Sequence, residues 1–336
     1  MNILAIESSC DETAVAVVKN GLEILSSVVA SQIKIHEIFG GVVPEISSRQ
    51  HCEAIDFLTK NCIKNSKIKF QEIDCVAVTF APGLLGSLLV GTNYAKGLSF
   101  ALKKPLVAVH HLRSHIAANY LTHKNLKPPF MALIISGGHS NLVKVNNYCN
   151  FETIAQTQDD AVGEAFDKVA RSIGLTYPGG AKLEKLAKNG NINAFKLPKP
   201  QVKNSELDFS FSGIKTAVLN ILNRSEQKHE NINKNDIAAS FQHTICEIIC
   251  EKTELALKKF NMNKLVVAGG VCCNEAIRNS LKKMAQKNCF DIFMPHLNLC
   301  QDNAAMVGAQ AFFEFQNGNV SDMSLNAQAN LPIDYD

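Results

Sequence analysis

The chain has 336 residues, 46% apolar and 19% charged, which favours two domains with real cores in an ordinary globular protein. A net charge of +3 permits contact with nucleic acid without arguing for it, and no apolar run approaches the length of a membrane span. Eleven cysteines, an odd count with no paired CxxC steps, exclude a zinc ribbon and read as mostly reduced, buried small residues; with a start that lacks signal-peptide layout, they predict a cytoplasmic protein.

Taken in chain order, residues 5–9, 14–18 and 24–29 are short runs that read as strands. A helix is predicted over about 44–63, a strand at 75–80, a helix at 86–102, a strand at 105–109 and a short helix from His111. The polar segment 122–129, ending in Pro128-Pro129, is a natural linker. The order then begins again, with strands predicted at 130–136, 141–145 and 151–155. Helices follow at 160–173 and 180–188, then a polar stretch near 196–210 and helices at about 214–222 and 236–260. A strand at 265–268, a helix at 274–287, a strand at 290–294 and a helix at 304–315 complete the chain. Each half therefore reads as three strands and then alternating helix and strand. That repeat of element order predicts two α/β lobes, 1–128 and 129–336, the second carrying a helical insertion at about 156–262, with a ligand cleft between them near strand ends.

His111 and His115 are four residues apart, so on a helix their rings leave one face a turn apart and can share a divalent cation. Such an ion needs a further ligand, and Asp302, which ends the loop 297–301, is the best candidate; it is equally a plausible helix N-cap. Two hairpins occupy equivalent places at the starts of the halves: Glu7 to Thr13, and Ile135-Ser136-Gly137-Gly138-His139-Ser140. Small residues there let backbone N–H groups close on an anion, and a third turn, Ala268-Gly269-Gly270-Val271-Cys272-Cys273-Asn274, joins a strand to a helix N-terminus. Taken singly, each turn is as consistent with a simple tight turn. Asp160, Glu164 and Asp167 fall on one helical face, either a solvated stripe or a carboxylate set beside a core. No GxxxxGK[ST] or Rossmann fingerprint occurs, and Leu112 stands where an HExxH protease needs Glu, so these classes fall away.

These blocks together resemble the tRNA N6-adenosine threonylcarbamoyltransferase family along essentially the whole chain. The likeness rests on Ala5 to Thr13, Gly40 to Glu45, Ala81 to Leu88 and the His111–His115 helix. It continues through Ser136 to His139, Asp159 to Lys168, Tyr177 to Gly180, Phe209 to Gly213, Gly269 to Asn274 and Cys300 to Asn303. The resemblance implies a duplicated actin, Hsp70 and sugar-kinase type fold. It also implies transfer of threonylcarbamoyl from threonylcarbamoyl-AMP to N6 of the adenosine 3′ of the anticodon, in tRNAs reading codons that begin with A. Carried over by position, His111, His115 and Asp302 would hold iron, or zinc, and Ile134, Ile135, Ser136, Gly137, Gly138, Asp167, Gly180 and Asn274 would bind the adenylate. Asp11 is the candidate to orient the donor or accept a proton. Implied partners are tRNA, a paralogue of the same fold as heterodimer partner and a small P-loop ATPase. Arg113-Ser114 replaces the family's usual Glu-Gly between the two histidines, Cys272-Cys273 replaces a small pair, and Ala304 stands where Gly is frequent. An ATP-dependent kinase of the same fold and a non-catalytic scaffold are the competing readings. Lys196, Lys199, Lys203, Arg278, Lys282, Lys283 and Lys287 are candidate contacts to tRNA phosphates, against the plainer reading of solvated faces.

Overall fold

A computed structural model describes residues 1–335. Its first half contains β1 (Asn2–Glu7), β2 (Glu12–Lys19), β3 (Glu23–Ser31), α1 (Ile33–Glu37), α2 (Pro44–Ser66), β4 (Cys75–Ala81), α3 (Leu85–Leu102), β5 (Leu106–His110) and α4 (His111–Thr122). The strands form one sheet in the order β3-β2-β1-β4-β5, antiparallel through the first three and parallel from β1 to β4 to β5. β4 is buried along its whole length, as a near-continuous apolar run in a parallel strand must be. β3 instead shows an exposed face, fitting its place at the sheet edge. Pro44 opens α2, where its missing N–H costs nothing, and Lys67 ends it in the left-handed region at φ 60°.

The second half contains β6 (Phe130–Ile135), β7 (Ser140–Asn147), β8 (Asn150–Gln156), α5 (Val162–Ser172), α6 (Gly179–Ala187), α7 (Ser212–Lys228), α8 (Lys234–Lys259), β9 (Lys264–Ala268), α9 (Glu275–Asn288), β10 (Asp291–Phe293) and α10 (Ala304–Gln316). Its sheet runs β10-β9-β6-β7-β8, with β6, β9 and β10 parallel. Counted from its own first strand, this is the same strand order as in the first sheet. The repeat of element order thus corresponds to a repeat of topology. α5 starts at Val162, two residues after the position expected for it, and α7 runs on to Lys228.

Two compact units result: Met1–Pro129 with Val145–Glu152 and the chain from Met294 onward, and Phe130–Lys144 with Thr153–Phe293. A cut at 128/129 alone would have put 294–336 in the second unit. The sheet of the first unit decides otherwise, because period-two alternation gives it two apolar faces that both need cover. Leu4, Val15 and Val17 meet Leu58, Cys62 and Ile63 of α2, and Ile6 and Val78 meet Ile55 and Ala95. The opposite face, with Ile3, Ala5, Ala14, Ala16 and Val18, is covered by Ala304, Ala305, Met306, Val307 and Ala311 of α10. Small residues let that helix lie close: a Cβ built on Gly308 would come within 2.7 Å of Val18. Among the described residues no helix is long and apolar enough to cross a membrane.

Candidate metal centre and glycine turns

In the first unit the parallel strands β1, β4 and β5 end at one edge of their sheet, the edge at which parallel α/β sheets present ligands. α4 begins there directly after β5, so His111 is its first residue and His115 stands one turn on, their ring centroids 4.6 Å apart. Asp302 reaches the same point from the loop before α10. Its Oδ1 lies 3.1 Å from His115 Nε2 and 3.7 Å from His111 Nε2. One ligand atom from each of the three falls within 4.8 Å of the others, in a setting where both histidines are buried. Asp302 is not the cap of α10; Asn303 is, its Oδ1 accepting the Met306 N–H at 3.0 Å.

His111 is oriented from behind. Glu7, the last residue of β1 and fully buried, accepts from His111 Nδ1 at 3.1 Å, from Thr79 Oγ1 at 2.6 Å and, through its other oxygen, from the Ser9 N–H at 2.6 Å. That bond leaves Nε2 to face Asp302, the arrangement a carboxylate–histidine–metal set needs. Burial disfavours charge on the His111 imidazole, but Glu7 and Asp302 outweigh it and lift the group to about 9. Burial likewise pushes Glu7 up, and the opposing His111 charge prevails and holds it below the usual carboxylate range. His115 is 1% exposed; its Nδ1 has no hydrogen-bond partner among the described residues, and its Nε2 meets the Asp302 oxygen without hydrogen-bond geometry. A buried imidazole left so is costly unless something else takes its lone pair. Three N/N/O donors, one orphaned imidazole and a carboxylate behind the other fit a divalent transition ion.

Asp11 lies in the turn between β1 and β2, 8% exposed, its carbonyl accepting the Gln32 N–H at 3.0 Å. Burial first, then the charges of Asp302 and Asp11, push the neighbouring Glu12 up to about 9, so these carboxylates share one negative neighbourhood.

The adenylate set lies in the second unit. Ile134 and Ile135 end β6, fully buried, and Ser136-Gly137-Gly138 form the turn beyond. That turn abuts the N-terminus of α5: the Gly163 N–H donates to the Ser136 carbonyl at 3.1 Å, and a Cβ at Gly163 would fall 2.7 Å from that oxygen. Gly137 and Gly138 face open space, so nothing in the fold itself forbids side chains there. Gly269 is different, with φ +92° and the Ile135 carbonyl 2.3 Å from a built Cβ, which brings the β9 turn against the end of β6. Asp167 and Gly180 are brought together: Asp167 Oδ1 accepts the N–H groups of Gly179 and Gly180 at 2.7 and 3.2 Å at the start of α6. Asn274 is spent on structure, capping α9 through the Ile277 N–H at 3.0 Å and donating to Gln242 at 2.9 Å. Asp160 and Glu164 do not join Asp167; both pair with Lys168, at 2.6 and 2.8 Å. Among the cationic candidates, Lys199 pairs with Glu247 and Glu251, and Arg278 donates to the Cys272 carbonyl.

Glu7 was missed by motif reading. The signal available was a lone acid closing an otherwise apolar strand, which once buried requires partners.

The family model of tRNA N6-adenosine threonylcarbamoyltransferase matches residues 23–309. A Clostridium perfringens protein of that name is 53% identical over 331 residues, covering 98% of each chain, and one from Clostridium beijerinckii is 51% identical over 331 residues with the same coverage. Among solved structures, full-length HypF in a phosphate- and nucleotide-bound form aligns with TM-score 0.63 at 16% identity, over 94% of this chain and 46% of that one. Component A of the Acidaminococcus fermentans (R)-2-hydroxyglutaryl-CoA dehydratase aligns at 0.56 and 15%, over 94% and 98%. Such identities speak to fold alone, an α/β fold of the same kind. The family match and the identity to these relatives over nearly all of both chains establish that this protein belongs to the tRNA N6-adenosine threonylcarbamoyltransferase family of transferases.

Proposed function

We propose that the chain transfers a threonylcarbamoyl group from threonylcarbamoyl-AMP to N6 of the adenosine 3′ of the anticodon, in tRNAs that read codons beginning with A. The convergence of His111, His115 and Asp302, with Glu7 behind His111, carries this reading. Those three side chains would hold one divalent ion, iron or zinc. When bound, such an ion supplies a Lewis acid and a fixed positive charge for oxygens of the donor.

The remaining chemistry belongs to the chain and its substrates. The donor is a mixed anhydride, already activated, so no protein nucleophile is needed. The N6 amine attacks the carbamoyl carbon, a C–N bond forms, the C–O bond to phosphate breaks and AMP departs with the electron pair. The amine proton must leave, and Asp11 is our candidate acceptor. Support for the adenylate's place comes from the glycine turns after β6 and β9, at the C-terminal ends of neighbouring parallel strands. Their unobstructed backbone at Gly137 and Gly138 suits a phosphate or ribose approaching N–H groups. Asp167 and Gly180 would serve that site from the start of α6, with Ile134, Ile135 and Ser136 beside it. Asn274 would act there through the position of α9, since its side chain is committed to the cap. A paralogue of the same fold and a small P-loop ATPase are the proposed protein partners, and the cytoplasm the proposed compartment.

The test is transfer of labelled threonylcarbamoyl to tRNA by the chain with its partner proteins, with and without chelator. Chelation and His111→Ala should each remove transfer and restored metal should rescue only the former. Full transfer and full metal content in His111→Ala would sink the scheme.

A further inference from the structure

Arg113 sits between the two histidines in sequence but not in space. Two residues from each, it points about 200° around α4 from both. It therefore acts on the back of the helix.

Arg113 is 4% exposed there, and its Nε and Nη2 donate to the carbonyls of Ile333 and Tyr335 at 2.8 and 2.7 Å. Its guanidinium lies over the rings of Tyr335 and Phe151, 4.0 and 4.8 Å from their centroids. Nη1 is 3.8 Å from Glu314 on α10, itself 3% exposed. The same stretch of tail grips His110. Its ring stacks on Tyr335 at 5.6 Å and 24°, and its Nε2 donates to the Leu331 carbonyl at 3.0 Å. That bond fixes the tautomer in which Nδ1 accepts the Leu112 N–H at 3.2 Å, which is the N-cap of α4. A cavity of about 560 Å³ adjoins Arg113, Glu314, Phe151 and Tyr335, so the strap is held on this side by polar and stacking contacts rather than by filled packing.

We propose that Arg113 is a positioning residue: with His110 it straps residues 331–335 to the first turn of α4 and so holds His111 and His115 in register with Asp302. The physical reason is that a first helical turn has unsatisfied N–H groups and frays first. Here the turn that frays carries His111 and leads directly into His115. The usual Ser, Thr, Asp or Asn cap is replaced by an imidazole whose orientation depends on the tail. A bidentate guanidinium suits two backbone carbonyls, which an ammonium cannot match. The proposal rests on the metal reading of the previous section.

The experiment uses the full chain stripped of metal, titrated with Co2+ and followed by its visible absorbance, alongside amide hydrogen exchange of residues 111–115 without metal. Arg113→Gln, Arg113→Lys and Tyr335→Ala should each bind Co2+ about tenfold more weakly, the size seen when groups behind metal ligands are removed. Each should also exchange α4's first turn faster. The Lys variant should not rescue, and Arg113→Gln with Tyr335→Ala should be no weaker than the worse single change, because both break one strap. Tyr335→Ala leaves the buried Glu314 pairing intact, so its result stands even if Arg113→Gln folds poorly. Wild-type uptake of Co2+ together with unaltered uptake and exchange in Tyr335→Ala and Arg113→Lys overturns the proposal alone. Absence of uptake by the wild type, or its retention in His111→Ala, overturns the metal reading and this proposal together.

Discussion

Glu7 shows how one residue can govern a site it does not form. Its carboxylate takes three hydrogen bonds inside a fully buried environment, and the one from His111 Nδ1 decides which imidazole nitrogen faces Asp302. Glu7→Gln keeps the volume but replaces one acceptor oxygen with an NH2 group. It also removes the charge that holds His111 oriented. We expect metal affinity about ten- to hundredfold weaker, with the fold retained, measured by competition against a chelator of known affinity. Wild-type affinity in that variant would show that Asp302 and helix geometry suffice. His111 and His115 were legible as a pair because spacing on a helix fixes the angle between side chains, and Asp302 only as an acid ending a distant loop. Glu7 was not, since nothing local marks the end of a strand as the neighbour of a helix more than a hundred residues later.

At the scale of elements, separate motifs turn out to be single hydrogen-bonded units. Asp159, which enters the sequence reading only as the start of the block Asp159 to Lys168, caps the turn before α7. Its oxygens accept the N–H groups of Phe211 and Ser212 at 2.8 and 3.3 Å and the hydroxyls of Ser210 and Ser212 at 2.5 and 2.7 Å. Burial alone would raise its carboxyl, but these bonds outweigh it and hold it below its ordinary value. A carboxyl depressed in the folded state contributes stability above its unfolded pKa, and that contribution fades as pH falls through the folded value. The gap in urea midpoint between the wild type and Asp159→Asn should therefore be present at neutral pH and shrink below about pH 4. A gap independent of pH would assign the effect to lost geometry instead. Most elements were readable, because runs such as Cys75–Ala81 and Glu275–Asn288 carry clear apolar patterns, whereas the five-residue α1 was not predicted. The start of α5 and the end of α7 were not: the Val162 N–H is fixed by Ser140 Oγ, and α7 runs on to a left-handed His229, neither of which periodicity displays.

For the whole molecule, the division into units decides where a metal's influence should be felt. All three candidate ligands, Glu7 and the Arg113 strap belong to the unit built on β1–β5, α4 and α10. Saturating metal should slow hydrogen exchange in β5, α4 and α10 while leaving β9 and α9 unchanged. Its stabilisation should grow with the logarithm of free ion, roughly 2.7 kcal/mol at a hundredfold excess over Kd. Uniform protection of both units, or none, would contradict a centre confined to the first.

The duplicated order of strands and helices, the polar linker before Phe130 and the histidine pair follow from periodicity and spacing along the chain, and the family follows from blocks of residues in order. What packing alone decided is that α10 covers the first sheet rather than the second, that Asp302 arrives with it, and that residues 331–335 close behind α4. Local pattern records which face of an element is apolar. It does not record which distant apolar face will meet it, because that choice is made by the surface left uncovered once all the elements have formed.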